Sequence, residues 1–213
     1  MYIDPFLTAQ GEDLSKHHPT AILVTHGHGD HVGDTLDLLR ANPKAKAYAI
    51  VELAGILSEE AGKAGKGRIA GANKGGQVDL GDGWTAVLVD AKHTSSYNGR
   101  YAGEAAAWVV RAPDGTTVYH CGDTDSFAGM EDICEINRPE IALVPIGDFY
   151  TMGPRGAAYA VAKRMTTVKK VVPMHYKTFG ALTGTPEEFK KELEAQKAKA
   201  ELVVLEKGTP KDF

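Results

Sequence analysis

Three histidines and one aspartate crowd into six residues at His26, His28, Asp30 and His31, immediately after the apolar run of residues 21–24. Imidazoles and a carboxylate packed into one loop lose hydration, and a bound cation is what offsets that loss. The H-x-H-x-D-H spacing therefore points to metal ligation. Gly27 and Gly29 let the backbone turn tightly enough for alternate side chains to face one centre. Three further candidates, His93, Asp123 and His175, each stand just past an apolar run. Taken singly, His93 or His175 reads as an ordinary polar residue, and it is the first cluster that makes them candidate ligands. Imidazole and carboxylate together suit zinc, manganese, iron or nickel without any thiolate.

These residues need elements to position them, and apolar strand-like runs alternate with amphipathic helical runs along the chain. That is the pattern of layered α/β structure. Strands are expected at 20–26 and 46–50, with helices at 32–41 and through Leu53, Ile56 and Leu57. Glycine and lysine dominate residues 62–76, which reads as a flexible surface loop. A meander follows, with strands at 77–80, 84–91, 105–112 and 116–122 separated by the turn signals at 81–83 and 113–115. A helix near 128–137, a strand at 140–146, a helix opening at Gly153-Pro154 and a strand at 169–175 come next. Thr185 to Glu188 form a capping box with Pro186 at the first helical position, so a helix should run to about residue 198 before a last strand at 200–206. In such a fold the carboxyl ends of the strands share one face, so ligands far apart in sequence can meet there.

At 213 residues, 43% hydrophobic and 24% charged, the chain reads as one domain spanning residues 1–213. The net charge is −4 and the cations are scattered, so a phosphate-backbone footprint is missing and nucleic acid is not the expected partner. No apolar run approaches the roughly 20 residues of a membrane span. Cys121 and Cys134 are too few for a disulfide framework and read as buried thiols of a reducing compartment. With no signal peptide at the start, the expected location is the cytoplasm. His17, His18 and His120 read as ordinary histidines, His120 being the one placed to support a ligand from behind.

The stretch 25–31, the isolated His93 in 91–96, the Cys-Gly-Asp-Thr-Asp of 121–125 and the Val-Pro-Met-His-Tyr of 172–176 occur in an order that resembles the metallo-β-lactamase superfamily. Within it the chain is similar to small metal-dependent hydrolases related to L-ascorbate 6-phosphate lactonase. Residues 3–8 and 148–154 also resemble that group's signatures. The resemblance implies an αββα sandwich of two packed mixed sheets with a binuclear site at one edge. It places His26, His28 and His93 on a first metal, Asp30, His31 and His175 on a second, and Asp123 between them, with zinc as the expected ion. Asp4 falls where the family orients a ligand imidazole, in keeping with the habit of metal-bound histidines of donating their second N–H to a carboxylate. Relatives carry a strand pair ahead of the segment at 3–8, and this chain starts almost at that segment. The expectation is an altered N-terminal edge, and an exposed sheet edge favours a homo-oligomer.

Two cations about 3.5–4 Å apart can share a water, lower its pKa toward about 7 and stabilise the oxyanion formed on attack. The expected chemistry is hydrolysis of a small-molecule ester, lactone, amide or phosphodiester by metal-bound hydroxide, with Asp30 both ligating and orienting the nucleophile. Asp148, Tyr150 and Tyr176 are open candidates for the proton donor. Phe149, Tyr150 and Met152 line the pocket, or Phe149 and Met152 pack beneath the next helix. Arg100 either meets an anionic substrate or is a solvated surface residue. A flavodiiron redox centre fits poorly, since that branch has glutamate where His28 stands. A polynucleotide hydrolase lacks its basic exosite here, although small phosphodiesters stay open. The non-catalytic alternative is a metal-binding or interaction protein that keeps the fold.

Overall fold

Four parallel strands organise the start of the chain in the computed structural model, which describes residues 1–213. They are β1 (Tyr2–Ile3), β2 (Ala21–Leu23), β3 (Lys46–Ile50) and β4 (Ile69–Ala72), ordered β1-β2-β3-β4. Between β2 and β3 lie α1 (Gly29–Val32) and α2 (Thr35–Ala41), and α3 (Val51–Ala61) connects β3 to β4. Every residue of β2 is buried, which is the signature of a strand covered on both faces. Leu38, Leu39, Leu53 and Leu57 supply fully buried side chains from α2 and α3. Burial of each stabilises the fold by about 1.5–3 kcal/mol, which is why these two helices anchor the sheet behind the histidine-rich loop.

After β4 the chain turns antiparallel. β5 (Gln77–Gly81) pairs with β6 (Trp84–Asp90) across the Gly81–Gly83 turn, and a short hairpin of β7 (Ser96–Tyr97) and β8 (Arg100–Tyr101) follows. β9 (Ala106–Arg111) carries the point at which the chain divides into two units, Met1–Trp108 and Val109–Phe213. The buried Trp108 indole donates to the carbonyl of Val24 at 3.1 Å, which fixes the end of β2 just ahead of the histidine-rich loop.

In the second unit, β10 (Thr117–His120) is followed by α4 (Gly129–Asn137), β11 (Ile141–Pro145), α5 (Pro154–Lys163), β12 (Lys170–Met174), α6 (Pro186–Ala195) and β13 (Glu201–Leu202). The four strands run parallel in the order β10-β11-β12-β13, so their carboxyl ends lie along one edge. Thr185 caps α6 by accepting from the Glu188 N–H, as the capping box predicts. Phe189 and Leu193 then fall on the buried face of α6.

The mixed α/β class agrees with the sequence reading, and four local expectations are corrected. The loop at 62–76 contains β4, because pairing with β3 supplies the hydrogen bonds that its glycine-rich sequence does not advertise. The helix at 32–41 is broken at Gly33, whose φ of +44° ends α1 before α2 begins. The final strand shrinks to Glu201–Leu202. The β7–β8 hairpin adds two short strands between those expected at 84–91 and 105–112, closed by Asn98 and Gly99 in left-handed conformations.

Candidate metal centre

Asp4 is the residue that positions the candidate ligands of the first unit. It occupies a left-handed conformation, φ +48°, just past β1, where its N–H donates to the Leu23 carbonyl at 3.0 Å. Its Oδ1 accepts the Thr25 N–H at 2.8 Å, and its Oδ2 accepts the Thr25 hydroxyl at 2.6 Å and His31 Nδ1–H at 2.7 Å. Because the Thr25 proton is committed to Asp4, Thr25 Oγ1 accepts from His26 Nδ1 at 3.0 Å. One carboxylate thus sets two buried imidazoles in the tautomer that leaves Nε2 with its lone pair.

His26 Nε2 then lies 3.0 Å from His28 Nδ1, and ligand nitrogens of His26, His28 and His93 all fall within 4.8 Å of one another. A tetrahedral ion with bonds of about 2.0–2.1 Å holds its donors about 3.3 Å apart, so this nitrogen set fits such an ion. The rings meet nearly edge-on, with interplanar angles of 77° for His26–His28, 87° for His26–His93 and 82° for His28–His93. Asp30 and His31 follow in α1, with Asp30 Oδ2 at 3.6 Å from His31 Nε2.

Two supports behind this loop were not singled out in the sequence. Ser95 Oγ accepts the Gly27 N–H at 3.1 Å, and a Cβ on Gly27 would come within 2.6 Å of Ala102 Cβ. Gly27 is therefore required by close approach, whereas a Cβ added at Gly29 would meet nothing within 4 Å. Asp34, buried at the break between α1 and α2, accepts from Leu7 N–H at 2.6 Å, Thr8 N–H at 2.9 Å and Thr8 Oγ1 at 2.6 Å. With Gly33 pressed against the Pro5 carbonyl, this clamp fixes the segment that carries Asp4. The sequence signal was present: Thr25 and Asp34 bracket the histidine cluster, but a lone Thr or Asp does not reveal what it reaches.

The two candidate ligands of the second unit, Asp123 and His175, lie at the carboxyl edge of the parallel strands. Asp123 follows β10 and is buried, His175 follows β12 in a left-handed conformation with φ +53°, and their Oδ2 and Nε2 atoms are 3.3 Å apart. His120 Nδ1 accepts the Gly122 N–H at 3.3 Å and so shapes the turn that delivers Asp123. Met152 is buried, whereas Phe149 and Tyr150 are 72% and 54% exposed, which divides a group the sequence left undecided. Of the donor candidates, Asp148 accepts the Phe149 N–H at 2.8 Å, and the half-buried Tyr176 phenol is pushed up by burial and by the charge of Glu187.

In the first unit, His93 and Thr94 line a cleft of about 480 Å³ together with Lys74, Asp90, Tyr101 and Glu104. Burial works against the Lys74 charge, but hydrogen bonds to Asp90 and Glu104 outweigh it and raise the ammonium above its usual range. Arg100 pairs with Glu59 at 2.8 Å in solvent, so its charge is already matched.

Residues 1–176 match the model of the beta-lactamase superfamily domain. The chain is 40% identical to a UPF0173 metal-dependent hydrolase of Myxococcus xanthus, over 97% of this chain and 74% of that protein. It is 38% identical to the corresponding hydrolase of Archaeoglobus fulgidus, over 99% and 90%. Among solved structures, Igni18, a metallo hydrolase from the hyperthermophilic archaeon Ignicoccus hospitalis, superposes with a TM-score of 0.76 at 35% identity, covering 89% of this chain and 77% of that one. A buried, pre-oriented imidazole cluster on this architecture, with these relatives, places the chain in the beta-lactamase superfamily, among its metal-dependent hydrolases.

Proposed function

We propose that the seven residues His26, His28, Asp30, His31, His93, Asp123 and His175 hold two divalent metal ions, zinc in the first instance, and that the chain hydrolyses a small ester, lactone, amide or phosphodiester. His26, His28 and His93 form the first donor set; Asp30, His31 and His175 form the second; Asp123 is shared. The observation that carries this reading is the 3.0 Å approach of His26 Nε2 to His28 Nδ1, with His26 held in the required tautomer through Thr25 and Asp4. Two such ions, when bound, supply Lewis acidity that activates a water near neutral pH and neutralises charge on the attacked group.

The protein's own residues do the rest. Asp4 and Thr25 hold the imidazoles, so no reorganisation is needed when the site is used. Asp30, partly exposed in α1, offers its carboxylate to orient the attacking water and take its proton. Lys74, Asp90, Tyr101 and Glu104 line the cleft beside His93 through which a small polar substrate approaches.

Metal content by plasma mass spectrometry tests the reading directly, alongside turnover of ester, lactone and phosphodiester probes. About two transition metals per chain, lost together with turnover in His28→Ala and Asp123→Ala, is the expected result. One metal or none after resupply, or turnover that survives both substitutions, overturns it.

A further inference from the structure

The loop between β11 and α5 is the most unusual backbone in the second unit. Asp148 and Phe149 are consecutive non-glycine residues in the left-handed region, with φ of +66° and +57°. A bulky aromatic residue is rarely found there, and the conformation persists only where its surroundings hold it. Those surroundings are the two ligand candidates of this unit. At one end, Gly147 packs so closely on the chain of His175 that an added Cβ would stand 2.1 Å from the His175 carbonyl oxygen. At the other, the Met152 N–H donates to the carbonyl of Thr124, the residue after Asp123, at 3.2 Å. Within the loop, the N–H of Asp148 donates to the Met152 carbonyl at 3.1 Å and closes the base.

The tip of this strap is apolar. Phe149 and Tyr150 pack edge-to-face, with centroids 4.7 Å apart at 83°, and both stay exposed, while Met152 alone of the segment's apolar side chains is buried. Phe179, 40% exposed, lies with its ring centroid 6.5 Å from that of His175. Strain in a loop whose ends meet the Asp123 and His175 segments, and whose tip carries two exposed rings, is the arrangement of a recognition surface.

We infer that Phe149 and Tyr150 form the subsite that receives an aryl group of the substrate, beside the scissile bond. This rests on the assignment of Asp123 and His175 to the metal centre. An aromatic ring from the substrate completes the offset and edge-to-face contacts that the Phe149–Tyr150 pair leaves open, and a methyl group in its place does not.

The test uses the zinc-loaded full chain and two carboxylate probes, phenylacetate and acetate, with affinity read by ligand-observed NMR titration. Phenylacetate should bind about tenfold more tightly than acetate. That ratio should fall toward one in the double variant Phe149→Ala, Tyr150→Ala, with zinc content retained. Ile136→Ala, an exposed apolar residue on α4, should leave the ratio where it was. Equal affinities in the wild type, no binding of phenylacetate, or a ratio unmoved by the double variant overturns the inference. A change in sedimentation of the double variant with the ratio intact also overturns it, by showing that the rings face a second copy of the chain. Failure of the underlying metal assignment is distinguishable, since zinc content would then be unaffected by His175→Ala.

Discussion

His31 Nδ1 lies 2.7 Å from Oδ2 of Asp4, and the same oxygen accepts the Thr25 hydroxyl whose own oxygen holds His26. Two candidate ligand imidazoles thus depend on one carboxylate. Asp4→Asn should lower metal affinity by about 10–100-fold, the range found when such supporting partners are lost. Chelator competition on purified protein checks this. Thr25→Val should weaken the site less, because His31 keeps its own bond to Asp4.

Asp34 should matter for stability. Its buried carboxylate accepts three hydrogen bonds from Leu7 and Thr8, and Asp34→Ala strands those donors. A loss of about 2–4 kcal/mol is expected, at about 1–3 kcal/mol per uncompensated buried donor after partial relaxation. Urea unfolding followed by circular dichroism measures it. The variant should also bind metal more weakly, since the clamped segment carries Asp4.

Strain at Phe149 predicts the opposite sign. Phe149→Gly should raise stability by about 0.5–1 kcal/mol, the left-handed penalty of about 1–2 kcal/mol relieved less the entropy cost of glycine. Tyr150→Gly, at a position outside the left-handed region, should give no gain. The difference between their urea midpoints isolates the backbone term.

The two thiols set an alkaline limit. Burial pushes Cys134 up to about 11, against some help to the thiolate from Thr167, and burial together with the nearby Cys134 charge raises Cys121 well above the usual range. Below the unfolded value of 9.0 the thiols are protonated in both states and their contribution is complete. As pH rises from there toward about 11 the unfolded chain ionises first, so stability should fall by about 2–3 kcal/mol for Cys134 alone. Unfolding free energies at stepped alkaline pH should show the slope, and Cys134→Ala should flatten it. Thiol reagents at pH 8 should label only the unfolded chain.

Periodic segments told their story without a structure. β3 occupies the five residues expected, and α6 starts at the Pro186 that its capping box announces. The candidate ligands were legible because four ligating side chains within six residues have no easy structural purpose. What stayed hidden is what depends on pairing partners. β4 is recognisable as a strand only from its register against β3, and Gly33 breaks a helical run because Pro5 occupies the space behind it. The reach of Thr25 and Asp34 was hidden for the same reason: a hydrogen bond across more than 20 residues leaves no local pattern in the chain.

The strap around residues 147–152 is rigid at its ends and open at its tip, and that has an evolutionary reading. Gly147 cannot accept a side chain against the His175 carbonyl, nor Gly184 against that of Ile146, where a Cβ would stand at 1.8 Å. Mutational drift is barred at those two sites. Phe149 and Tyr150 are exposed and pack on each other, so changes to their side chains leave the core intact. A library randomised at these two codons leaves both the core and the candidate ligands untouched.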